Sequence, residues 1–132
     1  MPYSANDDQW PVCVDRMSGQ GTDADIRAYN EQRELRLARE ELHVQVIDAT
    51  RGATLNGDLR RTIAAFNAKN ADAQQRWVAG LALIGDSAVV RGILHAIYWV
   101  EPPPYPYAVF ADRSEALAWA LARLQDRRGG EL

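Results

Sequence analysis

A chain of 132 residues, 47% apolar and 25% charged, has the makeup of an ordinary globular domain and is long enough to bury a full core without covalent staples. Its one cysteine, Cys13, excludes an intrachain disulfide, and a net charge of −3 with arginines spread among acids argues against a nucleic-acid partner. No apolar run approaches the roughly 18 residues that span a bilayer, and Met1 to Asp8 lack the basic head and apolar stretch of a secretory signal, so the expectation is a cytoplasmic protein with no membrane insertion.

Residues 1–9 read as a flexible N-terminal arm. Trp10 to Met17 alternates as a strand does, with Cys13 as a small buried apolar residue, and Ser18-Gly19-Gln20-Gly21 stops it. Thr22 opens the first helix with Asp25 three positions on, an acidic variant of the capping box. Ile26, Tyr29, Leu35 and Leu37 give that helix a ragged apolar stripe. Glu31, Arg33, Glu34, Arg36, Arg39 and Glu40 are expected on its solvated face, with opposite charges at helical spacing.

His43 to Ala49 is rich in β-branched residues and predicts a second strand, closed by the polar turn Asp48-Ala49-Thr50-Arg51-Gly52. Asn56-Gly57-Asp58 then starts a helix through about Gln75, with Leu59, Ile63 and Phe66 on one face. Trp77 to Ile84 is a third strand, and Gly85-Asp86-Ser87 switches strand to helix. The next helix, about Ala88 to Val100, is apolar nearly all round, so it is buried or docks on a partner. Pro102-Pro103-Pro104 ends it, Tyr107 to Phe110 is a short strand, and Asp112 with Glu115 caps a last helix whose apolar side holds Leu117, Leu121 and Leu124, with Trp119 at its edge. Residues 10–126 thus form one domain, and 127–132 read as a flexible tail. The order β-α-β-α-β-α-β-α predicts an α/β fold with right-handed crossovers and a mostly parallel sheet of four to five strands flanked by helices.

Two stretches carry a family resemblance. Val44-Gln45-Val46-Ile47-Asp48-Ala49-Thr50-Arg51-Gly52-Ala53-Thr54 resembles the strand and turn "V-V-x-D-x-(S/T)-G-(V/A)-T" of STAS domains, the anti-sigma-factor antagonist fold. Val109-Phe110-Ala111-Asp112-Arg113-Ser114-Glu115-Ala116-Leu117-Ala118-Trp119 is similar to the "V-F-x-D-x-x-E-A-L-x-W-L" ending of SpoIIAA-like, or STAS/SEC14-like, bacterial proteins. The resemblance covers roughly residues 10–125. It implies a SpoIIAA/STAS-like fold and a phosphorylation-controlled protein-binding switch. The phosphorylated serine of such switches opens the helix after the Asp-bearing strand. Here that place reads Leu55-Asn56-Gly57-Asp58-Leu59 and has no hydroxyl, and Thr54 precedes the turn.

Candidate chemistry is sparse. Gly85-Asp86-Ser87 lacks the second glycine of a nucleophile elbow, since position 89 is valine, and His95 lies eight residues further along the same helix, ~12 Å up its axis. Asp86 or Ser87 is better read as a helix N-cap. In parallel sheets ligands bind beyond the carboxyl ends of the strands, where Asp48, Thr50, Arg51, Asp86, Ser87 and Arg91 would gather as a candidate small-ligand or anion site. Two histidines and one cysteine without ligand spacing predict no metal, and no cofactor motif is present. Pro102-Pro103-Pro104-Tyr105 matches a WW-domain ligand but reads as a rigid connector, and Tyr105-Pro106 is a candidate cis bond. Tyr98, Trp99 and Tyr105 are either core, a dimer patch or the floor of an apolar pocket. The expected function is non-enzymatic: a STAS-like regulatory or protein-binding domain whose partner is another protein or a second copy. A carrier of a small apolar or lipid-like ligand is the alternative, ahead of an enzyme using Asp48, Ser87 or Arg91 at the strand ends.

Overall fold

The computed structural model describes residues 3–18, 21–51, 57–100 and 102–130, with the side chains of 50, 51, 57–60, 100 and 130 left outside the description. Its elements are β1 (Tyr3–Ser4), β2 (Val12–Ser18), α1 (Asp23–Ala38), β3 (His43–Arg51), α2 (Gly57–Lys69), α3 (Ala71–Trp77), β4 (Val78–Ile84), α4 (Ala88–Val100), β5 (Tyr107–Phe110) and α5 (Arg113–Gly130). The five strands lie in chain order, β1-β2-β3-β4-β5. The β2–β3, β3–β4 and β4–β5 pairs are parallel, and β1 runs antiparallel to β2, so the mostly parallel α/β sheet is as the pattern of elements predicts.

Strands laid down in one direction by crossovers of one hand put every crossover helix on the same face of the sheet. The packing follows. Met17, Ile47, Leu81 and Leu83 of the strands form one core with Ile26, Tyr29 and Leu37 of α1, Phe66 of α2, and Leu94, Ile97 and Tyr98 of α4. The opposite face carries Val12, Val44, Val46, Ala82 and Ile84 and is covered by α5 through Ala116, Ala120 and Leu124. Alanines at the contact let α5 lie close. Gly80 serves the same end on the strand side: a β-carbon there would stand 3.1 Å from Arg123 Cγ.

Local chemistry sets most boundaries. Thr22 Oγ1 accepts from the Asp25 amide at 3.2 Å and the Asp25 carboxylate accepts from the Thr22 amide at 2.9 Å, the reciprocal box expected at the start of α1. Ser87 Oγ accepts from the Val90 amide at 3.1 Å and caps α4. Asp112 Oδ1 accepts from the Ser114 amide at 3.1 Å at the start of α5.

Several boundaries differ from the sequence reading. Tyr3 and Ser4, ahead of the expected domain start, pair with Met17 and Arg16, and Tyr3 is buried with its ring 6.3 Å from the Tyr29 ring. Helix α5 continues through Gly130, with Arg127 and Arg128 in its last turn, where cations suit the helix dipole, and Arg127 Nη2 donates to the Arg76 carbonyl at 3.1 Å. The single helix expected from 56 to 75 is two, broken at Asn70, whose amide side chain donates to the Phe66 carbonyl at 3.1 Å and competes with the helical ladder. Trp10 and Trp77 fall just outside their strands. Among the described residues the cis peptide bond is Trp10–Pro11, not Tyr105–Pro106.

Candidate functional site

The carboxyl edge of the sheet is where sequence reasoning places a small-ligand site. The register aligns Arg16, Asp48, Ile84 and Phe110 across it. Asp48 turns to the α5 face, with a carboxylate oxygen 3.8 Å from Arg113. Ser87 is committed to its cap. Arg91, on the other face, donates to the Gly85 carbonyl at 3.0 Å. Asp86 is exposed. The side chains of Thr50 and Arg51 lie outside the described residues, as do Thr54 and Asn56, where the STAS resemblance puts its phosphorylation turn. The edge therefore brings these residues close in the chain path but divides Asp48 from Arg91 across the two faces of the sheet.

Of the aromatic trio, the structure separates one from two. Tyr98 and Tyr105 are buried in the first core, and burial raises both hydroxyl pKa values above the ordinary tyrosine range. Trp99 points outward and is 83% exposed. It shares the outer face of α4 with Val89, 73% exposed, and with Gly92, Ile93 and Ala96. The residues stand at helical spacing and no charged side chain interrupts them. His95 borders the stripe. The near-uniform apolarity of this helix thus resolves into two faces, Leu94, Ile97 and Tyr98 inward and Val89, Ile93 and Trp99 outward.

The feature that sequence reasoning missed is a buried ion pair. Arg36 and Arg33 belong not to a solvated face but to the inward stripe of α1, at the spacing Ile26, Tyr29, Arg33, Arg36, Leu37. Arg36 is 1% exposed, and its Nη1 and Nη2 donate to the two carboxylate oxygens of Asp15 on β2 at 2.8 and 2.5 Å. Its Nε donates to Asp7 Oδ1 at 2.7 Å. Asp15 also accepts from the Tyr29 hydroxyl at 2.6 Å and from Gln45 Nε2 at 3.3 Å. The fork to Asp15, with Asp7 at Nε and Nη2, gives each nitrogen of the Arg36 guanidinium a carboxylate partner. Burial alone would lower the Arg36 pKa, but the hydrogen bonds and charge of Asp15, with those of Asp7, outweigh it and raise it. Two signals were available: Asp15 sits at an inward position of an apolar strand, and both arginines fall on the apolar stripe of α1.

Cys13 is buried in the same strand, and desolvation pushes its thiol up to about 12, against a lowering by Arg36. His43 is buried too, which lowers its pKa; its Nδ1 lies 2.9 Å from the Glu41 carbonyl and its ring stacks on Trp10 at 4.8 Å. Neither residue belongs to a metal-binding group among the described residues.

No family model and no curated protein matches this sequence. Solved structures do. An uncharacterized protein of the DUF3478 family with a SpoIIAA-like fold, from Shewanella loihica PV-4, superposes with a TM-score of 0.68 over 89% of this chain and 91% of its own, at 19% identity. The fold is SpoIIAA-like. An anti-sigma factor antagonist from Mycobacterium paratuberculosis superposes with a TM-score of 0.56 over 89% of this chain and 92% of that one, at 16% identity. No described helix is long and apolar enough to cross a membrane.

Proposed function

We propose that this SpoIIAA-like chain is a non-enzymatic regulatory domain that acts by protein contact, and that the outer face of α4 pairs with the same face of a second copy. The observation that carries the reading is the exposure of Val89, Ile93 and Trp99 in one uncharged stripe. The solved relative that is an anti-sigma factor antagonist gives precedent for a protein partner on this fold.

Self-pairing is favoured by shape and area. In an antiparallel pair with its dyad at the level of residue 94, Trp99 of one copy lies over Val89 of the other, and Gly92 lies over Ala96, small against small. An aromatic side chain offers ~150–250 Å², so the stripe as a whole removes roughly 400–600 Å² per copy from water. The total, roughly 800–1,200 Å², is the size of a weak or transient interface. Gly92 has nothing within 4 Å of where its β-carbon would be, so its surface is open to a neighbouring helix.

A catalytic reading has less support, because Ser87 and Arg91 are engaged in capping and in holding the Gly85 carbonyl. A carrier for a lipid-like ligand has less as well. The void in the first core lined by Tyr29, Ile47, Ile63 and Tyr98 has room for little more than one water, and the roomier open cleft between α1 and α2 is lined by Asp23, Arg27, Arg61 and Thr62 beside Ile26 and Ala65, a polar wall ill suited to an acyl chain.

Size-exclusion chromatography with light scattering tests the proposal. The wild type is expected to be dimeric at tens of micromolar. Trp99→Ala removes the one large aromatic that each copy contributes, at ~2 kcal/mol or more apiece, which weakens the dimer by roughly a thousandfold and leaves monomer. A wild type that stays monomeric at several hundred micromolar contradicts self-pairing.

A further inference from the structure

A glycine inside a helix lowers the folded-to-unfolded ratio about fivefold relative to alanine, so a mid-helix glycine calls for a physical reason. Elsewhere in the chain the reason is internal. A β-carbon at Gly21 would enter the Tyr3 ring, one at Gly80 would crowd Arg123 Cγ at 3.1 Å, and one at Gly85 would crowd Val90 and Arg91 at 3.0 Å. Gly129 falls in the last turn of α5, where helices commonly end. Gly92 is different. It lies one turn into α4, and nothing stands within 4 Å of where its β-carbon would be. The single chain is weakened at this position and makes there no contact that alanine would disturb.

Gly92 also lies in the middle of the exposed face. At about 100° per residue, Gly92 and Ala96 follow one another along the helix, with Val89 and Ile93 to one side and Trp99 to the other. Those three larger side chains are exposed, so they stand around a low strip of nearly bare backbone. A helix laid along the strip comes nearer than one held off by side chains. Helix axes pack about 8–10 Å apart according to the residues at the crossing, and glycine against alanine gives the lower figure. At that separation Val89, Ile93 and Trp99 reach the partner instead of ending in water. A bulkier residue at the crossing would lift them away.

We infer that Gly92 is the point of closest approach in the pairing of α4 and that it selects the partner. Only a helix with a small residue opposite Gly92 is accepted, a condition that Ala96 of a second copy meets. The inference rests on self-pairing through α4 and adds to it the contact that discriminates between apolar helices.

Two substitutions separate this contact from general stickiness. Gly92→Ala in the Trp99→Ala background, where pairing is lost, is expected to raise the Tm by ~3–5 °C. A fall would show that the single chain itself needs the glycine, and would overturn the inference. Gly92→Leu adds apolar surface to an exposed face, which strengthens a non-specific association. At a close crossing it instead forces the helices apart at two symmetric contacts, so pairing measured by sedimentation equilibrium should weaken by ~100-fold. Cysteine pairing reads the register, and serves also if Gly92→Leu fails to fold. An oxidised mixture of Gly92→Cys and Ala96→Cys should give crosslinked pairs of unlike chains, the buried Cys13 taking no part. Each variant alone should not crosslink, since like positions lie about 6 Å apart along the axes in addition to the gap between them. If Trp99→Ala dissociates the pair while Gly92→Leu leaves it as tight or tighter, or if like chains crosslink as well as unlike, this inference fails and self-pairing stands. A wild type that stays monomeric at several hundred micromolar removes both.

Discussion

Replacing Arg36 by methionine tests the buried network most severely. The substitution keeps length and apolar bulk but removes all contacts to Asp15 and Asp7, at 2.8, 2.5 and 2.7 Å. Asp15 is 0% exposed and keeps only the Tyr29 hydroxyl and the Gln45 amide. Breaking a buried pair in this way leaves an uncompensated charge and costs about 3–5 kcal/mol. Against a total stability of about 5–15 kcal/mol for a domain, that is from about a fifth to all of it. With a urea m-value of about 2 kcal/mol/M, the unfolding midpoint drops by roughly 2 M, read from tryptophan fluorescence. Asp15→Asn placed on top of Arg36→Met removes the stranded charge while keeping acceptor and shape, so the double variant should be more stable than Arg36→Met alone. Additive losses, or a loss below about 1 kcal/mol for Arg36→Met, would show that the pair does not hold β2 to α1.

Two further outcomes follow from the same core. The Cys13 thiol, held up to about 12 by burial, should resist thiol reagents in the native state and react only on unfolding. Because its folded pKa is above the unfolded value, its contribution is complete below about pH 9 and is lost as pH rises toward about 12; at pH 10 the loss is about 1.4 kcal/mol, and Cys13→Ala should abolish that part of the alkaline limb in denaturant titrations. Gly21→Ala puts a β-carbon into the buried Tyr3 ring, displacing β1 at a cost of about 1–3 kcal/mol. Faster amide exchange at Met17 and Arg16, the partners of β1, checks it, and unchanged exchange would contradict the packing of Tyr3.

Local chemistry was legible in the sequence and long-range pairing was not. The Thr22–Asp25 box, the Ser87 cap, the span of α4 and the strand Tyr107–Phe110 follow from residues within a few positions of one another. The break at Asn70 is also local, but its signal, one asparagine in a helical run, is weak. The burial of Arg33 and Arg36 is different in kind. Arginine is read as solvated unless an anion awaits it, and Asp15 lies 21 positions from Arg36 in the chain and next to it in space. The same limit hid β1, since a two-residue strand has no periodicity and exists because Tyr3 fills a gap against Tyr29. Tyr98 and Trp99 show the converse: adjacent aromatics on a helix point about 100° apart, so one can be core while the other is surface.

The use of the outer face of α4 is tested most directly by a dilution series followed by amide nuclear magnetic resonance. If copies pair through this face, the Trp99 indole and the amides of Val89 to Trp99 shift together as the protein is diluted from millimolar to micromolar, while α5 signals stay fixed. Spectra that superimpose across that range, with α4 no different from α5, would contradict it.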